Sequence, residues 1–228
     1  MSPVLSLFVS KFLFVAAALL PIINPPGLVP FFISLTSHNS QAQRAFLARR
    51  IAVYCFLLLL GSMYIGGFVL SFFGVSLPVV QISGGLLITI AAWRMLNDNP
   101  AENTPSVSKL ENRETLKQRA FYPLTFPLTV GPGSISVAIT VGASLTSTGK
   151  ALERFTLAPL AAVAAVSVTC LLIWWCLLYA DRLMGYLGQT GAVVFLRLTA
   201  FILLCLGVQI IWEGFSGLVE PLLHSVGK

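Results

Sequence analysis

The sequence predicts an all-helical membrane protein of six transmembrane helices, built as two inverted three-helix repeats with helices one and four broken near the midplane. Three observations lead to this prediction. The composition is that of a membrane protein, six apolar runs are long enough to cross a bilayer, and a proline–glycine motif recurs at matching places in the two halves.

The composition excludes an ordinary soluble domain. Of the 228 residues, 57% are hydrophobic and 10% are charged, and the mean hydropathy is +0.89. Soluble domains carry about 25% charged residues. The net charge of +6 does not indicate nucleic acid, because the basic residues lie in short loops between apolar runs and form no single patch. The four cysteines have no metal-ligand spacing and suit packing in apolar runs.

Six runs approach or exceed the length of about 20 residues that a bilayer requires. In chain order they are Phe12–Leu35, Ile51–Phe73, Pro78–Leu96, Phe121–Leu145, Leu157–Tyr179 and Phe195–Val219. The polar segment 97–120 reads as a cytoplasmic linker between a first unit, 1–96, and a second unit, 121–228. A signal peptide is the alternative interpretation of the N-terminus, but the apolar run continues past any cleavage point.

The basic residues predict the orientation. Ten of the fourteen lie in or beside loops one, three and five, and four lie on the opposite side. Cytoplasmic loops of membrane proteins carry the excess of lysine and arginine. Loops one, three and five are therefore predicted to be cytoplasmic, with both termini periplasmic.

Two pairs of segments indicate an internal repeat. "PIINPPGL" (21–28) aligns with "PLTVGPGS" (127–134), and "FFGVSLPVV" (72–80) aligns with "YLGQTGAVV" (186–194). The matches keep the same order relative to the runs. Because each unit crosses the membrane three times, the second must be inverted, which is a signature of secondary transporters.

The prolines predict a break inside runs one and four. Proline has no N–H, so Pro25 and Pro26 deprive the carbonyls of Pro21 and Ile22 of their helical partners. Asn24 is expected to cap the half-helix that follows. In the second unit Pro132 has the same effect, and Gly131 or Ser134 is the candidate cap.

Each break exposes two kinds of binding group at one depth. The new half-helix presents free N–H groups suited to a carboxylate, and the preceding half presents carbonyls suited to an ammonium group or a cation. A small zwitterion such as an amino acid would satisfy both. If a cation is coupled to transport, backbone carbonyls and the hydroxyls of Thr129 and Ser134 are its candidate ligands; the coupling ion is unknown and no other cofactor is expected.

At these residues the chain resembles the MarC/SnatA family of inner-membrane proteins. The resemblance rests on "NPPGLVPFFISLT", "ISGGLLITIAAWRML", "PLTVGPGSIS" and "RLTAFILLCLGVQII", which span nearly the whole chain. It implies a bacterial inner-membrane protein that transports, and more specifically exports, neutral amino acids. The substrate-contacting residues it implies are Asn24, Pro25, Pro26, Gly27, Gly131, Pro132, Gly133 and Ser134.

Other functions were weighed against transport of amino acids. An efflux protein for drugs or other small metabolites on the same scaffold is the alternative, although the small, polar midplane favours amino acids. An enzyme is not expected, because the spans contain no nucleophile with a base, no paired carboxylates and no metal ligands. The expected partners are the amino acid and the lipid bilayer, with a homo-oligomer left open.

Overall fold

A computed structural model describes residues 3–97, 113–147 and 156–226, and every element in these ranges is helical. In chain order they are α1 (Pro3–Ile23), a 3₁₀ turn (Pro25–Gly27), α2 (Leu28–Leu35), α3 (Gln41–Phe72), α4 (Leu77–Asn97), α5 (Arg113–Arg119), a wide turn of π-type (Ala120–Thr129), α6 (Pro132–Ser147), α7 (Ala158–Leu178) and α8 (Ala180–Val226).

The described helices contain five candidate spans, or six if one bent pair is counted as a single span. Five stretches are long and apolar enough to cross a membrane: Val4–Ile33, Gln41–Phe72, Leu77–Arg94, Ala158–Leu178 and Val193–Val219. The sixth is the pair Glu114–Thr129 and Pro132–Leu145, which is bent by 70°. The prediction of an all-helical membrane protein is confirmed.

Several helices extend beyond the apolar runs. α1 begins at Pro3 rather than near Phe12, and α3 begins at Gln41, where Ser40 and Gln43 form a capping box. An apolar run marks only the part of a helix that lies in lipid, whereas backbone hydrogen bonding continues through polar residues until a proline, glycine or cap ends it. For the same reason the last residues of the predicted linker form α5; residues 98–112 of that linker lie outside the described ranges.

The core of the bundle lies around α7. Half of its apolar stretch is buried, compared with 17–22% for the other four unbent spans. Its buried face is rich in alanine, including Ala158, Ala161, Ala162 and Ala165, and it packs against α1 and α3. Small side chains let helices approach closely in a membrane, where no hydrophobic effect drives them together.

Glycines join α4 to its neighbours. A Cβ on Gly85 would lie 2.7 Å from the carbonyl oxygen of Gly207 in α8, and a Cβ on Gly214 would lie 2.6 Å from the carbonyl oxygen of Pro78. On another face of α4, Gly84 packs against Ser136 of α6, whose hydroxyl donates to the Val80 carbonyl at 2.8 Å. α4 therefore contacts both α8 and α6 at backbone distance.

Arginines gather at one end of the bundle. Arg44 forms an ion pair with Asp181 at 2.7 Å and donates from Nε to the Thr36 carbonyl at 3.0 Å. Arg119 donates to the Leu35 carbonyl at 2.8 Å. These bonds satisfy carbonyls at the C-terminus of α2. They also connect residues of loops one, three and five, which the predicted topology places on the same side of the membrane.

A candidate substrate site at two helix breaks

The first break is a tight turn after α1, and it is only local, because Val4–Ile33 still passes as one span and lacks the 70° bend of the second pair. Asn24 adopts a left-handed conformation (φ 46°), which asparagine tolerates better than most residues. Its N–H still donates to the Leu20 carbonyl at 2.8 Å, and its side-chain Oδ1 accepts from the Gly27 N–H at 3.4 Å. Pro25 takes the first position of the 3₁₀ turn. Asn24 is thus the cap that the sequence predicts.

Gly27 allows this turn to close. It is buried, and a Cβ at this position would run into the side-chain amide of Asn24. Pro26, by contrast, is exposed. The turn packs against α7 and α8, and the side chain of Asn24 occupies the space where a Cβ of residue 27 would lie.

The second break follows a wide turn that the sequence analysis did not anticipate. Residues 122–129 repeat one motif, aromatic–Pro–Leu–Thr, twice in succession. The aromatic residues Tyr122 and Phe126 both have extended backbone angles, with φ of −121° and −113°. Two extended residues inside an otherwise helical segment open its turns beyond the α-helical spacing. The tandem motif was the signal available in the sequence.

The threonines of this motif bond to the widened turns. Thr125 donates from its hydroxyl to the Ala120 carbonyl at 2.6 Å, and Thr129 donates to the Leu124 carbonyl at 2.7 Å. Both threonines are buried. The hydroxyl proton of Thr129 is therefore used within the fold, and its oxygen is left as an acceptor, as a cation or an ammonium group would require.

α6 starts directly after the bend. Pro132 occupies its first position, and the Ile135 N–H donates to the Gly131 carbonyl at 3.0 Å. The N–H groups of Gly133 and Ser134 precede this first bond, so they have no partner within the helix. Gly133 is buried against α4, where a Cβ would meet Ile88 and approach the Gly84 carbonyl oxygen to 3.2 Å.

Two polar side chains at the breaks have hydrogen-bonding groups without a partner in the described part of the chain. Ser134 is 5% exposed, and within the described ranges its hydroxyl makes no hydrogen bond. The amide nitrogen of Asn24, which is half-buried, likewise has no acceptor in the described part of the chain. Buried polar groups are normally paired. The breaks therefore offer an amide donor, a hydroxyl and two backbone N–H groups to a ligand.

The structure thus gathers the predicted residues into two local sets. Asn24, Pro25, Pro26 and Gly27 form one turn, and Thr129, Gly131, Pro132, Gly133 and Ser134 surround one bend. The helices around the two sets are neighbours, since α1 packs against α6 and α2 packs against the wide turn.

A polar pair lies outside both sets. Glu213, a carboxylate within the last apolar span, accepts from the Gln209 side chain at 3.1 Å on an exposed face of α8. The two residues are one helical turn apart. Their hydrogen bond is internal to α8 and involves neither break.

Known proteins resemble the chain over most of its length. Residues 9–219 match the family described as MarC family integral membrane protein. The inner membrane protein MarC of Salmonella paratyphi B is 31% identical over 207 residues, covering 89% of this chain and 92% of that protein. The protein of the same name from Citrobacter koseri is 32% identical over 208 residues, with the same coverage.

A further relative has a similar identity and coverage. A membrane protein of Buchnera aphidicola subsp. Schizaphis graminum is 30% identical, covering 91% of this chain and 92% of that protein. No solved structure matches the chain.

Proposed function

The chain belongs to the MarC family of integral membrane proteins, and on this premise we propose that it is a secondary transporter that exports small neutral amino acids. Its relatives are named inner membrane proteins, and its apolar spans make it a multi-pass protein of that membrane. The substrate, the direction and the transport itself belong to the proposal.

The main support for the proposal is that several polar groups at the two breaks have no hydrogen-bond partner among the described residues. The α6 N–H groups of Gly133 and Ser134 and the Ser134 hydroxyl suit a carboxylate, and they lie at the positive end of a helix dipole. The acceptor oxygen of Thr129 and the carbonyls freed by the prolines suit an ammonium group. A zwitterion provides both charges without a net charge to carry through the membrane.

The packing around the breaks favours a small substrate side chain. Gly27 is closed in by Asn24, and Gly133 is closed in by Ile88 and Gly84. A methyl group on Gly133 would collide with Ile88 and lie 3.2 Å from the Gly84 carbonyl oxygen of a neighbouring helix, so the space beside the start of α6 is narrow. Alanine, glycine and serine are the amino acids we expect to fit, whereas a wide aromatic drug pocket would need more room.

Local geometry supports the two-unit repeat, 1–96 and 121–228 joined by the linker 97–120. Gly74 and Gly188 are equivalent in the sequence alignment, and both have a left-handed backbone, with φ of 67° and 62°. Pro26 and Pro132 are both exposed, while Gly27 and Gly133 are both buried. An odd number of crossings per unit inverts the second unit, so the two breaks would approach the substrate from opposite sides.

We further propose that α4 and α8 move as a pair during alternating access. α4 follows the left-handed Gly74, and α8 is interrupted at Gly188, so its longer second part also follows a left-handed glycine. α4 and this second part of α8 contact each other at backbone distance through Gly85 and Gly207. Gly74 separates α4 from α3, and Gly188 separates the second part of α8 from its first turns and from α7. Such positions can absorb the backbone rotation that opens one side of the site and closes the other.

Replacing Gly74 or Gly188 by alanine is expected to slow transport. No atom lies within 4 Å of the Cβ that either substitution adds, so the cost is confined to the backbone. It is about 1–2 kcal/mol at Gly74 and about 1–3 kcal/mol at Gly188, whose ψ of 175° lies in a region that almost only glycine occupies. We expect a lower maximal flux with unchanged substrate affinity in liposomes. Gly67→Ala, which adds a Cβ into equally open space without a positive φ, is the control; equal flux in all three variants would contradict the hinge.

Amino-acid binding to the purified protein tests the proposed function directly. Titration calorimetry in detergent should detect alanine, glycine or serine, with glutamate and lysine as charged controls that do not bind. Ser134→Ala is expected to weaken binding about tenfold, because removing one hydrogen bond to a charged group costs about 1.5 kcal/mol.

A matched control for that experiment is Ser62→Ala, since the Ser62 hydroxyl already donates to the Leu58 carbonyl at 2.7 Å. If no amino acid binds the folded wild type, the substrate class is wrong, and a screen of drugs and other small metabolites becomes the next experiment. If Ser62→Ala weakens binding as much as Ser134→Ala, the site is misplaced.

A further inference from the structure

α3 and α7 border a groove on the outside of the bundle, away from the two breaks. Its volume is about 410 Å³, and its walls are almost wholly apolar, with Val53 and Phe56 on α3 and Leu171 and Trp174 on α7. Arg49 lies at one end of the groove, and Ser167 lines it from α7. In a membrane-spanning bundle such a groove faces lipid.

Among the described residues, Arg49 differs from Arg44 and Arg50 in having no protein partner. Arg44 is held by Asp181 and the end of α2, and the guanidinium of Arg50 lies over the ring of Phe46 at 5.4 Å. The side chain of Arg49 is exposed, and within the described ranges it makes no hydrogen bond or ion pair. Its five N–H donors are therefore available to a ligand in the groove.

The groove has the position and length of a lipid site. Arg49 belongs to the arginine-rich end of the bundle, where a membrane interface is expected, and Trp174 beside it suits the same depth. Phe56 lies seven residues further along α3, or about 10 Å at 1.5 Å per residue. Half of a hydrocarbon core of about 30 Å is about 15 Å, so the groove runs from the interface towards the midplane.

We propose that this groove binds an anionic phospholipid, with one acyl chain against Val53, Phe56 and Leu171 and the phosphate bonded to Arg49. The planar guanidinium can donate two parallel hydrogen bonds to a phosphate. A zwitterionic lipid would fit less well, because its cationic headgroup would need a carboxylate nearby, and Asp181 is already paired with Arg44. This proposal does not depend on the transported substrate.

Fluorescence quenching by brominated lipids tests it, because Trp174 lines the groove. The protein is reconstituted into phosphatidylcholine vesicles that contain a minor fraction of either brominated phosphatidylglycerol or brominated phosphatidylcholine. The Trp174 signal is obtained by subtracting the same measurement on Trp174→Phe. We expect the brominated anionic lipid to occupy the site about fivefold more readily than the brominated zwitterionic one, as one arginine near the surface provides.

Two arginine variants decide the outcome. Arg49→Gln should make the two lipids equal, whereas Arg50→Gln, which removes the same charge from the adjacent position, should keep the preference. Equal quenching by both lipids in the wild type would show only unselective annular lipid and would overturn the proposal. A preference that survives Arg49→Gln would overturn the role of this arginine.

Discussion

Replacing Pro25 and Pro26 together by alanine is expected to abolish transport while leaving a folded, membrane-inserted protein. The two alanines restore backbone N–H groups that can bond to the Pro21 and Ile22 carbonyls, and they favour a continuous helix from α1 into α2. Asn24 would then lose its left-handed turn and its capping position. The carbonyls at the first break would then accept ordinary helical hydrogen bonds and would no longer be available to a ligand.

The measurement is uptake of labelled alanine into liposomes, with helix content checked by circular dichroism and homogeneity by gel filtration. We expect flux at the background of empty liposomes. Pro159→Ala is the control, because Pro159 lies in the first turn of α7, where an N–H has no intrahelical partner. Wild-type flux in the double variant would refute the role of the first break.

Gly142→Ala is expected to destabilise the fold more than other single-methyl additions to the spans. The added Cβ would lie against backbone atoms of Met63 in α3, which cannot rotate away as a side chain can. Overpacking of this kind costs about 1–3 kcal/mol. We expect a lower midpoint of thermal unfolding in detergent and a lower yield of folded protein.

Gly67→Ala is the matched control for this variant. Gly67 also lies on a spanning helix, but a Cβ there meets no atom within 4 Å. If Gly142→Ala unfolded at the same temperature as Gly67→Ala, the close crossing of α3 and α6 would not exist as described.

The spans, and the local turns beside Pro25 and Pro132, could be predicted from the sequence because each depends on local chemistry. Apolar runs of spanning length give the helices, and prolines without N–H groups give the interruptions at Pro25 and Pro132. The cap by Asn24 follows from its position before Pro25.

The remaining features depend on contacts between distant residues. The burial of Gly133 needs Ile88 from another helix, and the unpaired hydroxyl of Ser134 is visible only once its neighbours are known. The wide turn at Ala120–Thr129 was not predicted, because the length of an apolar run does not distinguish an α-helix from a segment that contains extended residues. The repeated aromatic–Pro–Leu–Thr motif at 122–129 is the local sequence feature that marks this turn.

The most direct test of the central claim, that the two breaks form an amino-acid transport site, is uptake of labelled alanine, glycine and serine by the purified wild type in liposomes. The account predicts saturable uptake of at least one of them, and its loss in Gly133→Leu, whose side chain would fill the start of α6 against Ile88. Absence of saturable uptake for all three, with protein that is folded and inserted, would contradict it.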